Sequence, residues 1–241
     1  PGRNFANGIT TSNLGQPDFG RVLEQHAAYC EALIKCGVEL TVLDADERYP
    51  DGCFVEDTAV VNSIVKVISR PGAATRRGEE EAIAGVLAGS GPTESIKAPG
   101  TLEGGDILRA ENHYYIGLSE RTNREGADQL SAILSKYGFT SSFVPVEAGL
   151  HLKSDIACMG NGNYISTPVF SKIAHPANTI ILDPEEYYSA NCLRVNDYLL
   201  IAKGFPKSKK KILDLGYNII ELDMSEFRKM DGGLTCLSLL F

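Results

Sequence analysis

A single cysteine close to the last residue of the chain has the surroundings expected of a nucleophile. Cys236 follows the run Asp-Gly-Gly-Leu-Thr at residues 231–235 and precedes the apolar residues 237–240. The two glycines would give a flexible, low-bulk approach that lets another molecule reach the sulfur, and a strand behind it would hold the sulfur still. The sequence therefore predicts that Cys236 is a nucleophile, and the alternative is that it is a small core residue.

One of the four histidines is placed to serve such a nucleophile as a general acid and base. His151 stands in the run Gly-Leu-His-Leu-Lys-Ser at residues 149–154, directly before a repeated strand motif. Glu103, in the run Leu-Glu-Gly-Gly-Asp at residues 102–106, would orient the imidazole as the third member of a cysteine-histidine-acid set. The alternatives are a hydrogen-bonded core histidine and an ordinary glycine turn, and Asp106 is predicted to tie down that turn.

Three carboxylates and two arginines suggest the chemistry of a ligand. Asp51, Glu56 and Asp57 precede an apolar strand, and burying such acids is costly unless a cation offsets their charge. A guanidinium ligand would do so, because it is planar, permanently charged and pairs with carboxylates through two hydrogen bonds; solvated surface acids are the alternative. Arg76 and Arg121 each follow the second strand of a repeat. At a pocket rim they would suit a ligand carboxylate, and the alternative is surface charge at a helix start.

These candidate residues lie on a strand pattern that the sequence repeats. A polar start, a short apolar strand, a polar turn and a second strand recur at a period of roughly 40 to 50 residues, which is typical of a closed or stacked array. The first strands are predicted at residues 56–61, 105–108, 154–158 and 191–195, and the second strands at 64–68, 114–117, 164–166 and 198–201. Helical periodicity predicts helices at residues 22–36, 77–88, 124–136 and 207–215.

The ends of the chain predict how the array closes. Strands are expected at residues 4–9 and 39–43, and a fifth copy at residues 235–240 has a second strand that only the N-terminus can supply. An array of this kind should close into a ring. We therefore predict one α/β domain over residues 1–241, in which the starts of the repeats converge on an axis. The carboxylates, His151 and Cys236 would then meet although they are distant in sequence.

The composition limits the classes of function. The chain has 241 residues, 43% hydrophobic content and a formal net charge of -8, which describes an acidic globular protein. Because it lacks a basic surplus, nucleic acid and anionic membranes are not expected partners. No apolar run has the length of a membrane span, and the six widely spaced cysteines favour thiols over disulfides or zinc, as expected for a cytoplasmic protein.

Six stretches of the chain, taken in order, resemble the dimethylarginine dimethylaminohydrolase family of the guanidino-group-modifying superfamily. They cover nearly the whole chain and lie at residues 53–61, 70–73, 102–106, 117–123, 149–154 and 231–236. The resemblance implies a five-bladed α/β propeller, or pentein, of repeated ββαβ units with pseudo-five-fold symmetry, and a hydrolase of methylated arginines. The implied site residues are the nucleophile Cys236, the general acid/base His151, the orienting acid Glu103, the guanidinium ligands Asp51, Glu56 and Asp57, the α-carboxylate ligands Arg76 and Arg121, and the backbone carbonyls of Phe19 and Met230 for the α-amino group. Residues 10–20, whose polar composition marks a mobile loop, would form a lid.

The mechanism expected from this resemblance is covalent catalysis. The Cys236 thiolate would attack the guanidinium carbon, His151 would protonate the departing amine, and water would hydrolyse the thiouronium intermediate to citrulline. No metal or organic cofactor is required, and the expected partner is a small-molecule substrate bound by a monomer or homodimer. The alternatives are a related enzyme acting on unmethylated arginine or on citrulline, and a non-catalytic propeller that acts as a binding protein. Agmatine is the least favoured substrate, because it has no carboxylate for the arginines to bind.

Overall fold

The same three-stranded sheet occurs four times in the structure, a computed structural model that describes residues 1–147, 149–173 and 178–241. In each sheet an antiparallel pair of strands is followed by a third strand that runs parallel to the second. Three of the tight turns use the left-handed conformation that such hairpins require, at Glu111, Asn161 and Asn196 with φ of 54°, 56° and 51°. A parallel neighbour needs a crossover connection, and a helix supplies it in three of the sheets.

The described residues form two compact units. Unit 1 contains Pro1–Cys53 and Asp155–Thr235, and unit 2 contains Phe54–Ser154 and Cys236–Phe241. No helix among the described residues reaches the length and apolarity that a bilayer-spanning segment needs.

Unit 2 contains two of the sheets. Its strands and helices are, in order, β1 (Ala59–Val61), β2 (Lys66–Ile68), α1 (Glu79–Leu87), β3 (Thr93–Ser95), β4 (Ile107–Ala110), β5 (His113–Leu118), α2 (Arg124–Lys136) and β6 (Thr140–Pro145). Residues of both sheets and of α2 share one apolar core, which includes Val67, Ile116 and Leu130. The Asn123 side chain caps α2 by accepting from the amide of Gly126. The helices therefore follow the predicted positions at residues 77–88 and 124–136, which are confirmed.

Unit 1 contains the other two sheets and the helices around them. Its elements are, in order, α3 (Phe19–Lys35), β7 (Ile156–Gly160), β8 (Asn163–Ser166), β9 (Thr179–Ile181), β10 (Leu193–Val195), β11 (Tyr198–Ala202), α4 (Pro206–Asp214), β12 (Asn218–Leu222) and α5 (Ser225–Arg228). The first of these helices, α3, is capped by the Asp18 side chain and ends before Gly37, whose φ of 83° a glycine adopts without strain. The helices predicted at residues 22–36 and 207–215 are confirmed.

Three predicted strands are wrong. Residues 4–9 contain a 3-10 helix at Phe5–Asn7, residues 39–43 lie in no strand, and residues 235–240 contain a 3-10 helix at Thr235–Leu237. Apolar residues at these places suggested strands, but a strand also needs a ladder of backbone hydrogen bonds to a partner. Phe5 and Leu239 instead pack through their side chains, Phe5 against Phe227 at 5.5 Å between ring centroids and Leu239 against the apolar cluster around Ile83.

Candidate active site

A buried histidine and glutamate form the centre of the candidate site in unit 2. His151 directly precedes a 3-10 helix at Leu152–Ser154, and its Nε2 lies 2.8 Å from Oε2 of Glu103. The Glu103 carboxylate is fully buried, and its other oxygen, Oε1, accepts from the amide of Ala73 at 3.1 Å. Because the carboxylate is held by the backbone, it can hold the imidazole in one orientation.

Two glycines allow the groups of the site to approach each other. A Cβ on Gly105 would lie 2.6 Å from Nδ1 of His151 and 2.9 Å from Oδ1 of Asp57. The amide of Gly105 donates to that same oxygen at 2.9 Å. A Cβ on Gly104 would lie 1.9 Å from the carbonyl oxygen of Glu56. Neither position has room for a side chain, so both residues must be glycine. This close packing distinguishes the segment from an ordinary glycine turn.

Asp57 connects the histidine to a buried arginine. Its Oδ1 lies 3.9 Å from Nε2 of His151, and its Oδ2 accepts from Nη1 of Arg76 at 2.6 Å. The remaining nitrogens of Arg76 contact Glu79 and the carbonyl oxygen of Phe54. Arg76 is 4% exposed, so it does not lie at an exposed rim, and its contact with a ligand carboxylate stays a prediction. Its guanidinium pairs with two buried carboxylates and offsets part of the cost of burying them.

Glu56, which directly precedes Asp57, also forms an ion pair with a residue of the chain. Lys153 donates through Nζ to Oε1 of Glu56 at 2.5 Å. Glu56 and Asp57 were expected to need a ligand cation, whereas Lys153 and Arg76 provide the positive charges. Asp106 has the structural place predicted for it, because it accepts from the amide of Leu152 at 3.1 Å and from the hydroxyl of Ser119 at 2.6 Å.

The electrostatics of this cluster favour a protonated histidine. Burial alone would lower the pKa of His151, but the negative charge of Asp57 and the hydrogen bond to Glu103 outweigh it and raise the pKa to about 9. Burial opposes ionisation of the two acids as well, yet the imidazolium and Arg76 keep the pKa values of Asp57 and Glu103 below their ordinary values. The site therefore holds an imidazolium between two carboxylates at neutral pH.

The same three side chains have the spacing of a metal site. One ligand atom each of Asp57, Glu103 and His151 lies within 4.8 Å of the others. The Nε2 of His151 faces the Glu103 carboxylate, and its pKa of about 9 means that a metal would have to displace a tightly held proton at neutral pH. The donor set is therefore better matched to a proton than to a metal ion.

The nucleophile candidate belongs to the same unit as this cluster. Cys236 is partly exposed and lies in the 3-10 helix Thr235–Leu237, and Leu239 beyond it packs against the core of unit 2. Gly233, two residues before Thr235, is not the open, low-bulk approach that was predicted. A Cβ on Gly233 would lie 2.5 Å from Cγ of Asn191, so this glycine reflects close packing.

Arg121 differs from Arg76 in its exposure. Its Nη1 lies 3.4 Å from Oε2 of Glu103, and 15% of its side chain is exposed. The backbone of Arg121 is held closely, because a Cβ on Gly72 would lie 2.2 Å from its carbonyl oxygen. Of the two predicted carboxylate ligands, Arg121 is the one with solvent access.

Two of the other predicted ligand residues lie together in unit 1. Asp51 is buried and accepts from the amide of Ile9 at 3.1 and 3.2 Å. A Cβ on Gly8 would lie 2.4 Å from Oδ1 of Asp51 and 3.3 Å from Cε of Met230, so Asp51 and Met230 flank the same backbone segment.

The predicted lid, residues 10–20, is attached near both ends. Asp231 accepts from the amide of Thr11 at 2.5 Å, and Glu226 accepts from the amide of Asp18 at 2.7 Å. Phe19 is the first residue of α3, where a carbonyl accepts from the amide four residues later. The Phe19 carbonyl is therefore placed to serve the helix, and its contact with an amino group stays a prediction.

Sequence reasoning missed several residues that hold the predicted residues or the segments that carry them. Lys153 and Glu79 neutralise buried partners of the site, and Asn191 holds the segment before Cys236. Lys153 follows His151 by two positions, and Asn191 occupies the polar start of the fourth repeat. That position in the repeat was the signal that could have identified Asn191.

Comparison with known proteins gives one consistent family. A family model described as N,N dimethylarginine dimethylhydrolase, eukaryotic, matches residues 16–162. An N(G),N(G)-dimethylarginine dimethylaminohydrolase of Pseudomonas aeruginosa is 45% identical and is matched over 100% of this chain and 96% of its own length.

Solved structures agree with this result. The chain is similar to a dimethylarginine dimethylaminohydrolase crystallised as an adduct with S-methyl-L-thiocitrulline, with a TM-score of 0.95, 44% identity and coverage of 100% of this chain and 96% of that one. It is also similar to a Pseudomonas aeruginosa dimethylarginine dimethylaminohydrolase mutant complexed with citrulline, with a TM-score of 0.94, 44% identity and the same coverage.

Proposed function

Because this chain belongs to the dimethylarginine dimethylaminohydrolase family, we propose that it hydrolyses N-ω-methylated L-arginine to L-citrulline and methylamine or dimethylamine. The observation that carries the proposal is the buried cluster of His151, Glu103 and Asp57, which stabilises an imidazolium in the same unit as Cys236. A reaction that expels an amine from a guanidinium carbon needs such an acid, because the amine is a poor leaving group without a proton.

The first half of the proposed reaction forms a covalent intermediate. The guanidinium of the substrate lowers the pKa of Cys236, whose thiolate adds to the central guanidinium carbon and gives a neutral tetrahedral adduct. His151, with a pKa of about 9, is protonated at neutral pH and transfers its proton to the alkylated nitrogen. The carbon–nitrogen bond breaks, the neutral amine leaves, and a cationic thiouronium on Cys236 remains beside a neutral imidazole.

The second half of the reaction uses the imidazole in its other protonation state. His151 takes a proton from water while the hydroxyl oxygen adds to the thiouronium carbon. The adduct then expels Cys236, the hydroxyl proton passes to solvent, and the ureido group of citrulline forms. The imidazolium is restored, and the amine product takes up the released proton in water. Glu103 keeps the ring oriented through both halves, so it is proposed as a positioning acid.

Substrate binding is proposed to use the charged groups around this cluster. Asp57 is proposed to contact the guanidinium, with Asp51 and Glu56 as further predicted ligands of that group. Arg121, which has solvent access, is proposed to bind the α-carboxylate. Arg76 is proposed to fix Asp57, and it remains a further predicted ligand of the α-carboxylate.

The carbonyl of Met230 remains the predicted contact of the α-amino group. The proposed reaction uses no metal or organic cofactor, since Cys236 and His151 supply the nucleophile and the proton transfers.

Steady-state kinetics on four substrates test this function. Citrulline release is expected from monomethylarginine and asymmetric dimethylarginine with a higher kcat/KM than from arginine, and no turnover is expected on citrulline itself. A higher kcat/KM for arginine would replace the proposal with the related deiminase activity. No turnover on any guanidino substrate would favour the non-catalytic binding protein.

We also propose that the whole chain is a single domain, a five-bladed α/β propeller in which the four sheets are four blades. The similarity to the Pseudomonas aeruginosa structure over 100% of this chain supports the proposal. A single cooperative unfolding transition, with the calorimetric and van't Hoff enthalpies equal, is the expected result. We also propose a cytoplasmic location, which the wide spacing of the cysteines supports.

A further inference from the structure

The segment that leads to the nucleophile is held by side chains at four successive residues. The Tyr188 hydroxyl donates to the carbonyl oxygen of Gly232 at 2.8 Å, and the Tyr29 hydroxyl donates to that of Leu234 at 2.9 Å. Between them, Gly233 packs against Asn191 with no room for a Cβ. This segment joins Cys236 through the peptide bond of Thr235, so whatever fixes residues 232–235 limits where the sulfur can lie.

Asn191 makes the most specific of these contacts. Its Oδ1 accepts from the amide of Thr235 at 3.0 Å, and its Nδ2 donates to Oγ1 of Thr235 at 3.1 Å. Both residues are 6% exposed. One amide group therefore fixes the backbone and the side chain of the residue next to the nucleophile, and a buried pair of hydrogen bonds has no water to replace it.

The element that carries Asn191 is itself rigidly held. Asn191 ends the 3-10 helix Pro184–Ala190, which also carries Tyr188. Ala190 is fully buried in the apolar core of unit 1, together with Leu199 and Ile201 of β11. The contacts to Gly232, Gly233 and Thr235 thus come from one short helix, which is fixed in the core, and from the residue that directly follows it.

We propose that Asn191 is a positioning residue that sets the location of the Cys236 thiol through Thr235. This inference rests on the proposed function, because it assigns the residue a part in covalent catalysis by Cys236. Reaction of the thiolate requires a sulfur aligned with the guanidinium carbon, and a displacement of about 1 Å costs roughly 100-fold in rate. Loss of the hydrogen bonds between Asn191 and Thr235 should therefore lower kcat, whereas substrate binding through other residues should persist.

The test compares Asn191→Ala with a control of matched chemistry. Asn62 is also buried, and its side chain accepts from the amides of Ile64 and Val65 and donates to the hydroxyl of Tyr114. Asn62→Ala removes the same kinds of hydrogen bond in the turn between β1 and β2. Both variants should lose thermal stability, but Asn191→Ala should lose about 10- to 100-fold in kcat with little change in KM, and Asn62→Ala should keep its kcat.

A second pair of variants covers the case in which Asn191→Ala does not fold. Thr235→Val removes the hydroxyl that Asn191 binds, and Thr235→Ser retains it. Thr235→Val should lose about 10-fold in kcat, and Thr235→Ser should restore most of the rate. Equal kcat values for these two variants would overturn the proposal.

Hydrogen exchange of the peptide covering residues 229–237 gives a readout that does not depend on turnover. Exchange should be about 10-fold faster in Asn191→Ala than in the parent, and unchanged in Asn62→Ala. An unchanged kcat in a folded Asn191→Ala variant would overturn the proposal, as would a lowered kcat with unchanged exchange. A parent chain that turns over no guanidino substrate refutes the proposed function instead, so the two failures are distinguishable.

Discussion

Replacing Glu103 by glutamine should move the pH range in which the enzyme works. The substitution keeps the size of the side chain and removes the charge that lies 2.8 Å from Nε2 of His151. Burial lowers the pKa of His151, and the charges around it raise the value from 6.5 to about 9. Without the Glu103 charge, only Asp57 and the more weakly coupled Asp106 oppose the desolvation of the imidazolium. His151 should then lose its proton at a lower pH.

The size of this effect follows from the linkage between pKa and free energy. The rise from 6.5 to about 9 corresponds to about 3 kcal/mol of preference for the imidazolium, at about 1.4 kcal/mol per unit. Asp57, Glu103 and Asp106 share this preference, and Glu103 contributes both a hydrogen bond and a charge, so its removal should lower the pKa of His151 by at least about one unit. Because the orientation of the ring is also lost, kcat should fall by roughly 100-fold.

The pH dependence of kcat/KM is the appropriate assay, because it reports groups of the free enzyme. The parent should lose activity above about pH 9, and Glu103→Gln should lose it at least about one unit lower. Glu186→Gln is a matched control, since Glu186 is also buried but accepts from the amides of Lys207 and Ser208 at the start of α4. If kcat/KM falls at the same alkaline pH in Glu103→Gln as in the parent, the claim that the Glu103 charge raises the pKa of His151 is refuted.

Three further predictions concern carboxylate binding, the loop and stability. Arg121→Gln should raise KM about 10- to 100-fold for substrates with an α-carboxylate, while Arg124→Gln, an exposed arginine paired with Asp128, should leave KM unchanged in the same kinetics. Asp231→Ala removes the carboxylate that Thr11 binds, so amide hydrogen exchange in residues 10–12 should be at least about 10-fold faster than in the parent. An exchange rate equal to that of the parent would contradict the claim that Asp231 holds this loop. His151 has a raised pKa, so its stabilising contribution is fully present below pH 6.5 and is lost as the pH rises through about 9. Urea unfolding should therefore show a loss of stability between these pH values that is smaller in His151→Gln, and equal losses would count against the buried imidazolium.

The repeats and the helices were predictable because they depend on local patterns. The helix α2 at Arg124–Lys136 has the predicted bounds, and the paired strands follow the predicted alternation of apolar segments and turns. The predicted strands at residues 4–9, 39–43 and 235–240 failed, because apolar composition does not specify whether a backbone finds a ladder partner.

The residues of the site could be predicted from the sequence, but many of the side chains that contact them could not. His151 and Glu103 could be paired from their positions in the repeats, and the structure brings them within hydrogen-bonding distance. The partners of Arg76 could not be predicted, because a surface arginine and a buried one look alike without the tertiary contacts to Asp57 and Glu79. The role of Gly233 was misread for a similar reason. Glycine serves both flexibility and close packing, and only the position of Asn191 shows which applies.

The central claim, covalent catalysis at Cys236, is tested most directly by the mass of the enzyme after a rapid acid quench. With asymmetric dimethylarginine, His151→Gln should form the thiouronium more slowly and then retain it, because the base for hydrolysis is absent. The added mass should map to the peptide that contains Cys236 and should be absent in the Cys236→Ser, His151→Gln double variant. An undiminished rate of citrulline release by Cys236→Ser, with no mass added in His151→Gln, would contradict the mechanism.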